Sequence, residues 1–190
     1  MDDLSISVSS TTIRRNLSIL QRQVDLLFNL GKESAVEFDL AKTELIHFKN
    51  SANLDHLTLT LPDGSVVSPK PVVKWLGVYF DKGLSFRHHL ATRASQATQA
   101  FMRLYRLANR ERGLSTHALR QLYMACVVSV ADYGTQVFWK GQVHMADTLQ
   151  RLQNLALRVI LGAFRTSPIA PMEVEAALPP PAVRLNVSLR

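Results

Sequence analysis

The chain has 190 residues, 47% of them hydrophobic, and a net charge of +7. That length and composition suit one large or two small globular domains and exclude global disorder. The single cysteine, Cys126, excludes an internal disulfide, and no apolar run approaches the ~20 residues that span a bilayer.

Leu4, Ile6 and Val8 alternate with polar residues, which predicts a half-buried strand. Ser9, Ser10, Thr11 and Thr12 offer helix N-caps. Ile13, Leu17, Leu20, Val24, Leu27 and Phe28 follow at helical spacing, predicting an amphipathic helix that ends near Gly31. The alternation over Thr43–Phe48 fits a second strand. Leu57, Leu59 and Leu61, the turn residues Pro62, Asp63 and Gly64, and then Val66 and Val67 predict a β-hairpin. The stretch VVKWLGVYFDKGLSF, residues 72–86, reads as two short strands joined by a turn at Asp81, Lys82 and Gly83.

From about residue 87 the pattern becomes purely helical. Leu90, Ala94, Ala97, Phe101, Leu104 and Leu107 or Ala108 mark one face, and Gln96, Gln99, Arg103, Arg106 and Arg110 the opposite one. Gly113 ends that helix. Ser115 can cap the next, whose buried stripe is read as Leu119, Leu122, Cys126 and Val130, making Cys126 an inert core residue. A third helix is expected from about His144 to Leu161, with Arg151 and Arg158 outward. The proline-rich tail beyond Gly162 reads as a linker or a truncated continuation, with a short helix over MEVEAAL (172–178) as an option.

The charge is divided along the chain. Residues 1–81 carry 8 basic and 10 acidic side chains, and residues 82–165 carry 12 basic and 3 acidic. The second balance suggests a polyanionic partner. The expected fold class is α+β: a mixed unit over residues 1–86, a basic helical bundle over 87–165 and a tail over 166–190. The scattered histidines do not match a zinc-site spacing.

The order of features carries a resemblance. MDD opens the chain, FDLAKTELIHF follows at 38–48, KWLGVYFD at 74–81, then GLSTHALRQLYMACVVSVADYGTQVFW at 113–139 and LQRLQNLALRVILGAFRT at 149–166. This series resembles the C-terminal half of reverse transcriptases of non-LTR (LINE-like) retrotransposons: the end of motif C, motif D, the primer grip and the thumb. The resemblance implies part of an RNA-directed DNA polymerase, with a partial palm followed by a basic thumb. It implies Asp2 and Asp3 as Mg²⁺ ligands, because nucleotide transfer on two metals needs hard carboxylate oxygens. It also implies Lys42 beside the leaving phosphate, and Trp75, Leu76 and Gly77 holding the primer.

On the helical bundle, Arg93, Arg103, Arg106, Arg110, Arg112 and Arg120 are candidates for the nucleic-acid backbone of a template–primer. The family's motif A aspartate and its fingers would precede Met1, so the metal site is expected to be incomplete and the chain inactive alone. The missing upstream part of the polymerase is then a candidate partner. No membrane partner is expected, and the place of action is intracellular, in nucleus or cytoplasm. A non-catalytic, sequence-independent nucleic-acid-binding module and a functionless transposon remnant are the alternatives.

Overall fold

The computed structural model describes residues 4–49, 54, 56–108 and 113–187, with side chains omitted at 143–145. The chain is α+β and divides into two compact units, residues 1–86 and 87–190. Among the described residues no helix is long and apolar enough to cross a membrane.

The first unit is built on helix α1 (Ile13–Glu33). Thr12 caps it, its Oγ1 accepting the Arg15 amide at 3.3 Å. Val24, with Leu17, Leu20 and Phe28, packs on Leu45, Leu59 and Leu61, a small core in which each well-buried side chain contributes roughly 1.5–3 kcal/mol. Leu59 and Leu61 belong to the predicted hairpin: β1 (Leu59–Thr60) pairs antiparallel with β2 (Val66–Val67), Thr60 opposite Val66. Gly64 takes the left-handed conformation at the turn, and Asp63 accepts from the Ser65 amide at 2.9 Å. The edge of β1 is satisfied by a side chain. Gln21 on α1 donates to the Thr60 carbonyl at 2.6 Å and accepts from the Thr60 amide at 3.1 Å, imitating a neighbouring strand.

A second hairpin, β3 (Val72–Trp75) with β4 (Val78–Asp81), forms a separate two-stranded sheet. Its turn corrects the sequence reading. Trp75 pairs with Val78, so the loop is Leu76–Gly77, with φ of +46° and +78°. Two positive φ values in a two-residue loop match the twist of a tight hairpin. Asp81 does a different job: its carboxylate accepts the Phe86 and Ser85 amides at 2.8 and 3.0 Å and shapes the loop after β4.

Two strand expectations also change. Leu4–Val8 enters no strand, and Leu4 and Ile6 are exposed. Alternation shows which side chains would share a face but supplies no pairing partner. At Thr43–Phe48 the alternation holds in burial, Leu45 and His47 being buried, but pairing is reduced to one bridge between Leu45 and Pro69.

The second unit is helical. Helix α2 (Arg87–Tyr105) buries Leu90, Ala97, Phe101 and Leu104. Ser115 caps α3 (Thr116–Leu122), accepting the Ala118 amide at 3.3 Å, and α3 runs on through a π-helical stretch (Tyr123–Val128) into α4 (Ser129–Ala131). A π turn holds more than 3.6 residues, so the buried stripe slips to Leu119, Tyr123, Val127, Val128 and Ala131. Cys126 is consequently exposed, not a core residue. Short α5 (Thr135–Phe138) and long α6 (Val143–Leu161) follow, α6 burying Leu149, Leu152, Ala156, Leu157 and Ile160.

The proline-rich tail is neither a linker nor irregular. It carries α7 (Ile169–Glu175) and α8 (Pro181–Val187), both packed on α6, with Met172, Ala176, Leu178 and Leu185 buried. Pro168 and Pro181 stand at the two helix starts, where a missing N–H costs nothing. A polar network holds the tail. Arg184 grips Asp132 with Nε at 2.6 Å and Nη2 at 3.0 Å, and its Nη1 donates to Gln153 Oε1 at 2.8 Å. Fully buried Gln153 donates onward to the Pro179 carbonyl at 3.0 Å and to Glu173 at 3.2 Å. Trp139 Nε1 donates to Asn186 at 2.8 Å.

The first unit tolerates little at Gly31, where an added Cβ would lie 2.6 Å from the Phe38 ring and 3.0 Å from the Val36 carbonyl. The Phe38 ring is itself set edge-on against Phe28. Gly31→Ala is therefore expected to destabilise this unit by about 1–3 kcal/mol despite alanine's helix preference. Gly83→Ala, whose Cβ would meet only Asp81 Oδ2 at 3.5 Å, should leave the urea midpoint near that of the parent chain.

Candidate nucleic-acid interface

Asp2, Asp3, Arg110 and Arg112 lie outside the described residues. The other sequence-predicted positions fall on both units. Lys42 closes a 3₁₀ turn (Leu40–Lys42) capped by Asp39, and its ammonium meets the Asp39 carboxylate at 2.8 Å. The hydrogen bond and charge of Asp39 push the Lys42 pKa upward, so Lys42 is a cation at neutral pH, held on an exposed turn.

Trp75, Leu76 and Gly77 form the tip of the β3–β4 hairpin. Trp75 is 37% exposed and Leu76 59%. Trp75 leans on Phe80 with ring centroids 6.3 Å apart, and Phe80 in turn meets Phe48 at 6.5 Å and Phe86 at 5.7 Å. An aromatic cluster thus supports a tip that presents apolar surface to solvent. Leu76 adopts a left-handed conformation that costs a non-glycine residue roughly 1–2 kcal/mol. Asp81, below the tip, is shifted by opposing causes. Partial burial works against its ionisation, but hydrogen bonds from Ser85 and Phe86 outweigh it and hold the carboxyl below the usual range.

The arginines of the second unit fall into two groups. Arg93 stacks over the Tyr133 ring at 4.2 Å and donates to Gln96 at 3.2 Å. Arg120 donates through Nε to the Ala176 carbonyl and through Nη2 to the Ala177 carbonyl, at 2.5 and 2.9 Å, stapling α3 to the end of α7. Arg158, read as outward-pointing, donates to the Asn154 and Arg165 carbonyls at 2.8 and 3.2 Å. Arg184 belongs to the buried network. Arg103 and Arg106, at the end of α2, are exposed and have no ion pair among the described residues, and the same holds for Arg151 and Arg165. The acids of residues 82–165 are Glu111, Asp132 and Asp147, and Asp132 is taken by Arg184.

Among the described residues no three of His, Cys, Asp and Glu gather into a cation-holding group. Asp2 and Asp3, the pair implied as ligands, are outside those residues.

The chain is similar to several known proteins. Over 98 residues the chain is 31% identical to a probable RNA-directed DNA polymerase from transposon BS of Drosophila melanogaster, covering 52% of this chain and 11% of that protein. Over 175 residues, 91% of this chain, it is 25% identical to a retrovirus-related Pol polyprotein from type-1 retrotransposable element R1 of Bradysia coprophila, covering 17% of the relative. Over 162 residues, 85% of this chain, it is 25% identical to the RNA-directed DNA polymerase from mobile element jockey of Drosophila funebris, covering 18% of that protein. The chain is a relative of non-LTR retrotransposon reverse transcriptases. It spans between about a tenth and a third of the length of the curated relatives it matches. No protein-family model matches the sequence, and no solved structure matches it. Reverse transcriptases generally use Mg²⁺.

The grouping of the arginines is testable through stability. Arg120→Met keeps the apolar stem but leaves the Ala176 and Ala177 carbonyls without their donor, and should cost about 1–3 kcal/mol in chemical denaturation. Arg103→Ala should stay within about 0.5 kcal/mol of the parent.

A second test uses pH. Buried His89 must carry its proton on Nε2, which donates to the Tyr133 carbonyl at 2.9 Å. Burial lowers its pKa below 6.5; the Tyr133 carbonyl opposes this, and cationic Arg93 and neighbouring His88 reinforce it. The unfolded chain therefore takes up the proton first as pH falls, so this contribution is complete above 6.5 and declines below it. The thermal midpoint should drop between about pH 7.5 and 5.5, and a His89→Gln variant should lose that step.

Proposed function

We propose that the chain serves as the primer- and template-contacting portion of a non-LTR retrotransposon reverse transcriptase. In this reading residues 1–86 are a partial palm bearing the primer-grip tip Trp75–Leu76–Gly77, with Lys42 on the motif D-like turn. Residues from 87 onward are a thumb, to which α7 and α8 belong as packed parts. The observation that carries the reading is the division of the arginines. Arg93, Arg120, Arg158 and Arg184 have partners within the protein, whereas Arg103, on α2, and Arg106, just after it, stand exposed without a carboxylate among the described residues. Unpaired guanidiniums in a unit with 13 basic and 5 acidic side chains (residues 87–190) suit phosphates. Contacts of this kind position a duplex without reading its sequence.

The same reading leaves the chain without polymerase activity of its own. Two-metal transfer needs carboxylates from more than one strand. Asp2 and Asp3 are adjacent in the sequence and offer carboxylates from a single segment. A non-catalytic binding module shares the duplex contact and differs only in lacking a polymerase to work with.

Mobility-shift titrations with an RNA–DNA template–primer at several salt concentrations test the contact. Binding should weaken steeply with salt. The Arg103→Ala, Arg106→Ala double variant should lower the log–log slope by nearly two, at about 0.9 per phosphate contact. No binding at low salt, or an unchanged slope, would sink the thumb assignment. Primer extension with Mg²⁺ or Mn²⁺ should give no incorporation; template-dependent extension abolished by Asp2→Ala would overturn the inactivity.

A further inference from the structure

A second surface of the helical unit has a chemistry that the α2 contact does not use. Gly162, with φ of +63°, ends α6 and turns the chain back on itself. The turn is fixed by the Ala163 amide donating to the Arg158 carbonyl at 2.9 Å and the Ser167 amide donating to the Phe164 carbonyl at 3.1 Å. Arg158 holds it from below through the Arg165 carbonyl. The result is a braced knuckle that pushes the Phe164 ring out to 81% exposure with exposed Arg165 beside it in sequence. Arg151 and Leu155 lie on the Arg158 face of α6, seven and three residues earlier, and both are exposed.

Among the described residues the charge of this face is not neutralised. Arg151 and Arg165 have no ion pair among the described residues, and Arg158 is bonded to carbonyls rather than carboxylates. Asp147, one turn before Arg151, is an acid on the same face, which leaves three guanidiniums against one carboxylate.

We propose that this knuckle binds single-stranded nucleic acid, with Phe164 stacking on an unpaired base and Arg151 and Arg165 meeting flanking phosphates. The proposal rests on the reading of the second unit as a nucleic-acid contact and assigns it a different surface and strand state. An exposed flat ring beside unpaired cations is the combination that single-strand binders use. A duplex hides its base faces and would meet only the charges. A cationic, aromatic surface also favours a polyanion over the mixed-charge face of an ordinary protein partner.

The test uses fluorescence anisotropy of the full chain with a labelled uridylate oligonucleotide and, separately, with a blunt RNA–DNA duplex. Phe164→Ala should weaken oligonucleotide binding about tenfold, the effect of losing one base stack, and leave duplex binding unchanged. Phe164→Trp should restore the affinity and Phe164→Leu should not, which separates stacking from mere apolar contact. Because the side chain is largely in solvent, these variants should keep the parent circular dichroism spectrum. Phe164→Ala with parental single-strand affinity, or Phe164→Leu binding as tightly as the parent, would overturn the proposal. Unchanged binding together with altered self-association in sedimentation would overturn it in favour of a protein contact. The Arg103→Ala, Arg106→Ala variant separates the two readings. If it leaves duplex binding intact while Phe164→Ala still weakens the single strand, the α2 contact fails and the knuckle stands; the reverse pattern rejects the knuckle alone.

Discussion

The grip of Arg184 on Asp132 is the interaction on which the helical unit depends. Both side chains are largely withdrawn from water, where an ion pair is tolerable only if its remaining hydrogen-bonding groups are met. Gln153 meets them, and through Pro179 and Glu173 it ties the same network to the tail. Asp132 follows α4, Gln153 sits in α6 and Arg184 in α8, so one polar cluster fixes the places of three helices that apolar packing alone would leave free to slide. Its burial also surrounds Tyr123, whose phenol is pushed up to about 12 by the same loss of water. Removing one member would strand the others, at a cost of several kcal/mol.

That constraint changes the meaning of the net charge. A surplus of basic residues suggests an electrostatic footprint, but much of this surplus is spent on architecture. Arg184 closes the network, Arg120 serves carbonyls at the end of α7, Arg158 serves those of Asn154 within α6 and Arg165 in the turn beyond it, and Arg93 lies on an aromatic ring. Among the described residues, Arg103 and Arg106 at the end of α2, and Arg151 and Arg165 on α6 and just after it, remain exposed. In the proposed reading the first set holds duplex phosphates and the second an unpaired strand. The hairpin tip of the first unit is an apolar surface of its own, supported by Phe48, Phe80 and Phe86.

Much of the fold was legible where a pattern is local. Helix α1 and its cap, the hairpin around Pro62–Gly64, the start of α2 and the cap at Ser115 all follow from spacing and turn chemistry. What escaped depends on long-range or accumulated geometry. Leu76–Gly77 hides as a turn because leucine rarely takes positive φ, whereas Asp81–Gly83 does turn, the Leu84 amide donating to the Asp81 carbonyl at 2.9 Å, but it follows β4 and does not join the strands. Cys126 was misplaced because the π stretch rotates the buried face, and helical periodicity assumes a constant turn. The tail reads as a linker or a truncated continuation because five prolines dominate it, although two of them stand where helices begin and the short helix optional over 172–178 is met in part by α7. Of the candidate site, the residue types were readable and their partners were not: nothing in the sequence separates Arg120, bonded to the end of α7, from Arg103, exposed on α2. The relation to non-LTR retrotransposon polymerases was legible from the order of motifs, and four relatives support it.

The central claim is that the arginines of this unit are divided between structure and ligand. Arginine-selective modification with phenylglyoxal, mapped by mass spectrometry with and without an RNA–DNA template–primer, tests it directly. The account predicts that Arg103 and Arg106 react readily in the free chain and are protected in the complex, while Arg184 and Arg120 stay unreactive in both. Ready modification of Arg184 or Arg120 in the folded free chain, or undiminished reactivity of Arg103 and Arg106 in the complex, would contradict it.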